Sequence, residues 1–175
     1  MPWLIALGSE IVVQGVEGRR VLALEDFYLG YQKKDLRAGE FVAAVRVPLP
    51  RAGQRFRTYK LAKRFDQDIS AVCAAFSVTL DGETIVDARI AFGGMAATPK
   101  RASQAEATLL GQSWSEDTLR TAMAALARDY APLSDARASS SYRLRAAQNL
   151  LRRFWLETRP VDPLRASAVN AFASV

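Results

Sequence analysis

The stretch from Val72 to Phe92 constrains this chain more than any other. Val72, Ala74, Phe76, Val78 and Leu80 alternate with Cys73, Ala75, Ser77 and Thr79. Side chains of a strand point alternately to opposite faces, so one face here is large and apolar and the other small or polar. Asp81-Gly82-Glu83 supplies a turn, and Val86, Ala88, Ile90 and Phe92 return on the matching face, which predicts a β-hairpin. Its large face needs a cover, and the downstream sequence has helical periodicity. Residues 101–109 are alanine-rich and follow Pro99, a common helix-entry residue. Residues 115–130 put Leu119, Met123, Leu126 and Tyr130 on one stripe, with Ser113 and Glu116 as a capping box. Residues 139–158 turn Leu144, Ala147, Leu151, Phe154 and Trp155 inward and Arg145, Arg152 and Arg153 outward. The fold class that follows is α+β: a small antiparallel sheet covered on one side by a helical layer.

Upstream, residues 9–14 and 19–24 read as two short strands punctuated by Gly15 and Gly18. Residues 24–30 read as one helical turn ended by Gly30, followed by a polar loop over 32–40. Phe41, Ala43, Val45, Val47 and Leu49 then share one face of a strand that stops at Pro48 and Pro50. Two prolines and a glycine cannot continue a ladder, so Pro48 to Gly53 is the expected boundary between a unit of residues 1–50 and one of residues 53–159. Arg55 to Lys63 is a further strand. Residues 160–175 lack a period and are expected to be a disordered tail.

Composition excludes several chemistries. One cysteine, Cys73, and no histidine leave no disulfide framework, no zinc spacing, no cluster of thiolates for iron–sulfur and no histidine-based nucleophile. The net charge of +6 would suit an acidic ligand, nucleic acid or an acidic partner surface. The basic residues are dispersed without interleaved aromatics, which reads as a solvated surface and not as a nucleic-acid site. No run is long and apolar enough to span a bilayer, so no membrane role is expected. Met1 to Gly8 has neither a basic n-region nor a cleavage-like site, and a reducing cytoplasm is the expected compartment.

A basic strand, a tight acidic loop and a small-residue strand follow one another in Tyr59-Lys60-Leu61-Ala62-Lys63-Arg64-Phe65-Asp66-Gln67-Asp68-Ile69-Ser70-Ala71-Val72. Further on comes Ala91-Phe92-Gly93-Gly94-Met95-Ala96-Ala97-Thr98-Pro99-Lys100-Arg101. In this order the two motifs resemble the FAD-binding small subunit of bacterial xanthine dehydrogenases, within the molybdenum hydroxylase flavoproteins that carry the CO dehydrogenase flavoprotein C-terminal domain. The resemblance runs from about Leu4 to Thr158. It implies that residues 1–50 are the end of a flavin-binding α+β domain and that the rest is that C-terminal domain. It further implies that the glycine-rich loops holding most of FAD, and the domains carrying 2Fe-2S clusters, lie upstream of where this chain starts. A truncated gene, a mis-assigned start and a separately expressed piece are all compatible with that start. The molybdopterin belongs to a separate large subunit, an expected partner.

The resemblance also assigns residues. The family's flavin-binding lysine falls on Lys60, whose charge would favour the electron density of a reduced flavin. Read from the residues alone, Lys60 lies on a face with Phe56, Thr58 and Ala62, where its stem covers the sheet and its head reaches water. Arg64 and Asp66 correspond to a loop beside the flavin and carry over as modulators; opposite charges in a turn also commonly pair with each other. Asp68 doubles as a turn residue. Val42 matches an apolar flavin contact and reads equally as an ordinary strand residue. Tyr31 matches an aromatic near the docking place of NAD+, although Gln32 stands where the family usually has a basic residue. Gly93-Gly94 reads as close backbone packing, since no phosphate-loop motif surrounds it. Cys73 reads as an inert buried thiol, and Trp114 and Trp155 as core.

The activity implied for the intact complex is purine oxidation, with electrons passing through iron–sulfur clusters to FAD and leaving as hydride to NAD+. No catalytic residue and no metal ligand is expected in this chain, which alone should bind FAD poorly and oxidise no purine. Two other readings stand beside it. One is a non-catalytic docking domain that uses the arginine face of residues 143–153. The other is the flavin subunit of a carbon monoxide dehydrogenase or an aromatic hydroxylase.

Overall fold

The computed structural model describes residues 1–64, 68–165 and 168. A short helix, α1 (Pro2–Ala6), opens the chain with proline in its first turn, where a missing N–H is no loss. A hairpin of β1 (Glu10–Gly15) and β2 (Gly18–Ala23) follows, then a small pair, β3 (Tyr28–Gly30) and β4 (Lys33–Lys34). β5 (Phe41–Arg46) lies along the other side of β1, giving the order β2-β1-β5. Two expectations fail here. Leu24–Phe27 is a tight turn closed by Asp26 N–H to Ala23 O at 3.1 Å, and the chain is already extended at Tyr28, which pairs with Lys34. Along β5 the single apolar face is broken, because a bulge opposite Val12 and Val13 leaves Ala43 without a partner. Phe41, Val42, Val45, Val47 and Leu49 are all exposed.

The main sheet runs β6 (Gln54–Leu61), β7 (Val72–Asp81), β8 (Thr84–Gly93) and β9 (Lys100–Arg101), all antiparallel neighbours in that order. Its centre is the expected hairpin, with Ala74 opposite Phe92, Phe76 opposite Ile90 and Val78 opposite Ala88. The return strand departs from simple alternation at one place. A bulge pairs Thr79 with Asp87 but Leu80 with Ile85, so Val86 is left over. Ile85 therefore takes the fully buried position and Val86 is 54% exposed, the reverse of the expectation for Val86.

Three helices cover the large face: α2 (Ser103–Leu109), α3 (Glu116–Asp129) and α4 (Ser140–Thr158). Phe76, Phe92 and Phe154 meet between sheet and α4 with ring centroids 5.3–5.5 Å apart. All three are fully buried, and each such side chain contributes about 1.5–3 kcal/mol. The cap of α3 is Ser115, accepting from Thr118 N–H at 3.4 Å, and not the expected Ser113, which bridges to Thr84. Arg145 and Arg152 face outward as expected, whereas Arg143 is buried and Arg153 lies half-buried against Glu157, with Nε donating at 2.6 Å. Past α4 the chain turns back, and Leu164 N–H donates to Leu156 O at 2.8 Å. Most of the remaining tail expected to be disordered lies outside the described residues.

The small face of the hairpin is covered too. Leu4, Ile5 and Ala6 of α1 pack with Ile11, Val13 and Phe27 against Ala75 and Ala91. Ion pairs sew the same joint: Glu25 accepts from Arg89 at 2.6 Å and from Arg101 at 3.0 Å, and Arg101 also holds buried Glu106 at 2.7 Å. Within the helical layer, buried Asp129 at the end of α3 accepts from the backbone N–H of Gln104 and Ala105, each at 2.9 Å. It thereby satisfies N–H groups that the first turn of α2 leaves unpaired. Asp129→Ala should cost about 1–3 kcal/mol, read as a lowered urea midpoint with an unchanged slope. A midpoint equal to wild type would show that water replaces the carboxylate at no cost.

Candidate functional site

A groove of about 1040 Å³ opens at the end of the main sheet where β7 begins and β8 finishes. Cys73, Gly93, Gly94, Met95 and Tyr130 line it, and Tyr31 reaches it from the N-terminal segment. Space at the glycine pair is tight, and at Gly94 only glycine fits. A Cβ on Gly94, whose φ is +81°, would stand 2.5 Å from Ala71 O, and one on Gly93 would stand 3.3 Å from Pro2 Cγ. The expectation of close backbone packing at this pair agrees with that geometry.

Lys60 pairs with Cys73, which in turn pairs with Gly93, so the three form one row on one face of the sheet. The lysine is exposed, and among the described residues it has no hydrogen-bond or ion-pair partner. Tyr31 is 76% exposed at the groove. Arg64 is exposed and pairs within its own loop: its Nη2 lies 3.5 Å from Asp68, and its backbone N–H donates to Asp68 at 3.0 Å. That pairing is the one expected of a charged turn. Asp66 lies outside the described residues. Val42 stands on β5, opposite Val13, in the other sheet and away from the groove lining. The structure thus brings Tyr31 to the groove, sets Lys60 one strand away from it beside Cys73, and leaves Val42 elsewhere.

Cys73 is half-buried and lines the groove, a departure from the fully buried thiol expected; burial still pushes its pKa up, which keeps it a poor nucleophile. Buried Tyr130 donates to Lys100 O at 2.7 Å, and burial together with the charges of Asp129 and Glu106 drives its pKa well up. Arg143 was not foreseen as a groove residue. Its Nη1 donates to Ala71 O at 2.5 Å and to Gly94 O at 2.8 Å, and its Nη2 to Asp135 at 2.6 Å. A signal for it exists in the sequence: Arg143 leads the stripe Ala147, Leu150 and Phe154, a place where an apolar side chain would be routine. Among the described residues no group of three or more His, Cys, Asp or Glu side chains could hold a metal ion, and no helix is long and apolar enough to cross a membrane. A largely apolar slot with Lys100 and Arg137 in its lining suits a flat ligand that gains negative charge.

An α+β chain with this sheet, layer and groove falls in a known class. Residues 57–158 match the family described as the CO dehydrogenase flavoprotein C-terminal domain, and residues 1–50 match the FAD binding domain in molybdopterin dehydrogenase. The chain belongs to this family of molybdenum hydroxylase flavoproteins. It is 34% identical to the carbon monoxide dehydrogenase medium chain of Afipia carboxidovorans over 97% of its own length and 57% of the relative's. It is 30% identical to the xanthine dehydrogenase/oxidase of Gallus gallus over 72% of its length and 10% of that protein's. Among solved structures, a reconstituted CO dehydrogenase from Oligotropha carboxidovorans superposes with a TM-score of 0.80 at 32% identity, covering 87% of this chain and 53% of the other. The chain spans about half the length of the CO dehydrogenase chains it matches. The family expected from the two motifs is the one found. The narrower likeness to xanthine dehydrogenase gives way to a stronger one to the CO dehydrogenase medium chain.

Asp135 titrates at about 2, held there first by the Arg137 N–H and then by the Arg143 guanidinium. Glu40 is likewise held at about 2 by Arg20 and the Arg37 N–H. Free carboxylates titrate near 4, so both groups stabilise the folded chain fully above that pH and lose the contribution as pH falls towards 2. Urea midpoints should therefore fall between about pH 4 and pH 2, and the fall should flatten in Asp135→Asn combined with Glu40→Gln. An equal fall in the double variant would assign acid sensitivity to other carboxylates.

Proposed function

We propose that this chain forms one wall of the FAD site in the flavin subunit of a molybdenum hydroxylase. The observation that carries the proposal is the row Lys60–Cys73–Gly93, in which Cys73 and Gly93 line the groove and the Lys60 cation stands next to Cys73 on the neighbouring strand. Bound there, FAD would take up electrons delivered by iron–sulfur clusters of the assembly and pass them on. Lys60 would place positive charge against the ring that becomes electron-rich. Tyr31 would stand at the open side where an acceptor such as NAD+ approaches, and Arg64 and Asp66 would tune the field from the loop. Val42 enters through the family resemblance, as an apolar contact from β5. The division into residues 1–50 and 53–159 belongs to the same proposal, as does a molybdopterin-carrying large subunit as partner.

The substrate is oxidised on another subunit, so purine and carbon monoxide are alternatives that this chain does not choose between. Carbon monoxide has in its favour a relative matched over 97% of this chain, against 72% for the xanthine dehydrogenase/oxidase of Gallus gallus. A docking role is the second reading, favoured by Tyr142, Arg145, Asn149 and Arg152, which form an exposed stripe along α4.

Titration of the purified chain with FAD, followed by flavin fluorescence, tests the flavin wall. Saturable binding weaker than about 1 μM is expected, weakened about tenfold or more in Lys60→Ala, a loss of about 1.4 kcal/mol. Absence of FAD binding by the folded chain would overturn the flavin wall and leave docking as the function.

A further inference from the structure

Arg143 breaks a local rule. It occupies a core position on α4, 4% exposed, yet it is charged, and its Nε is buried without a partner among the described residues. An apolar side chain of similar volume would avoid both costs, since a buried guanidinium must recover its desolvation through every N–H it has. Positions where a sequence violates such a rule are where function is expected.

Its partners give the reason. Ala71 ends the charged loop after β6, Gly94 follows β8, and Asp135 belongs to the turn between α3 and α4; Gly94 and Asp135 line the groove, as does Ser70 next to Ala71. The ladder of β7 and β8 ends at Cys73 and Gly93, just short of Ala71 and Gly94, and among the described residues no ladder reaches Asp135. The loop is closed at its base by Ala71 N–H to Leu61 O at 2.7 Å, so the Ala71 peptide is held by the strand on one side and by Arg143 on the other. A second tether runs in parallel, from Lys63 Nζ to Ala136 O at 2.6 Å. Asp135 is itself fixed by accepting from Arg137 N–H at 2.8 Å and Ala138 N–H at 3.2 Å. Only a planar fork of several N–H groups reaches all three segments at once; a lysine ammonium is a point charge on a flexible stem.

We propose that Arg143 is a positioning residue that clamps Ala71, Gly94 and Asp135 together and so fixes the groove wall against which a flat ligand lies. The clamp deepens the flavin-wall reading, and its consequence for flavin rests on that reading.

Amide hydrogen exchange on the full chain reads the clamp without any ligand, and FAD titration of the same samples reads its consequence. In Arg143→Met, exchange over Ile69–Val72 and Gly93–Met95 should speed up about tenfold or more while Val78 and Ile85 stay protected. Arg143→Lys should recover only part of this, and Asp135→Asn should show a smaller change of the same pattern. FAD affinity should fall about fivefold or more in Arg143→Met. Unchanged local exchange, or a uniform rise across the sheet, would overturn the clamp. Faster local exchange with FAD affinity intact would overturn its hold on the ligand. Faster local exchange in a protein whose wild type binds no FAD would sustain the clamp and sink the flavin reading. Should Arg143→Met fail to fold, the contrast between Arg143→Lys and Asp135→Asn decides in the same way.

Discussion

The hairpin of β7 and β8 is buried on both faces, and the rest of the molecule is arranged around that fact. On one side Phe76, Ile90 and Phe92 need a thick cover and receive α2, α3 and α4. On the other, Ala75, Ala91 and Gly93 are small enough for α1 to approach the backbone itself, with Pro2 against Gly93. Had this second face carried large side chains, the N-terminal segment could not sit where it does, and Tyr31 would not reach the groove. Small residues here act as a docking surface for a helix, which packs through shape as much as through area.

The charged groups follow from the same arrangement. Where the two segments meet, the backbone ladders end, and side chains hold what ladders cannot. Glu25, Arg89, Arg101 and Glu106 do this along β8 and β9. Arg143, Ala71, Gly94 and Asp135 do it just past the end of β8, next to the groove. Tyr59 and Arg153 close a third place, donating to buried Glu157 at 2.9 and 2.6 Å. Buried carboxylates and guanidiniums are costly alone, and each of these is held by two or more partners, the condition under which such groups persist in a core.

Much of this could be read along the chain. Alternation in residues 72–80 gave the hairpin and its large face, and the helical stripes gave a cover of the right size. The family resemblance in residues 59–72 and 91–101 pointed to the flavoprotein family, and the glycine pair itself pointed to tight packing at Gly93-Gly94. The failures have physical causes. Val86 and the face of residues 41–49 were misplaced by bulges, which insert one residue and invert alternation without a mark in composition. Arg143 reads as surface in the sequence because arginine usually is, and its partners are 8, 49 and 72 residues away.

The sequence by itself determined the central hairpin, the three covering helices, the fold class and the family, because these rest on periodicity and on motifs local in the chain. Tertiary structure alone decided that the small-residue face is covered, that Lys60, Cys73 and Gly93 form one row, and that one buried arginine joins three loops at a groove. Those depend on register and on contacts between residues distant in sequence, and no local pattern encodes the distance between two backbones.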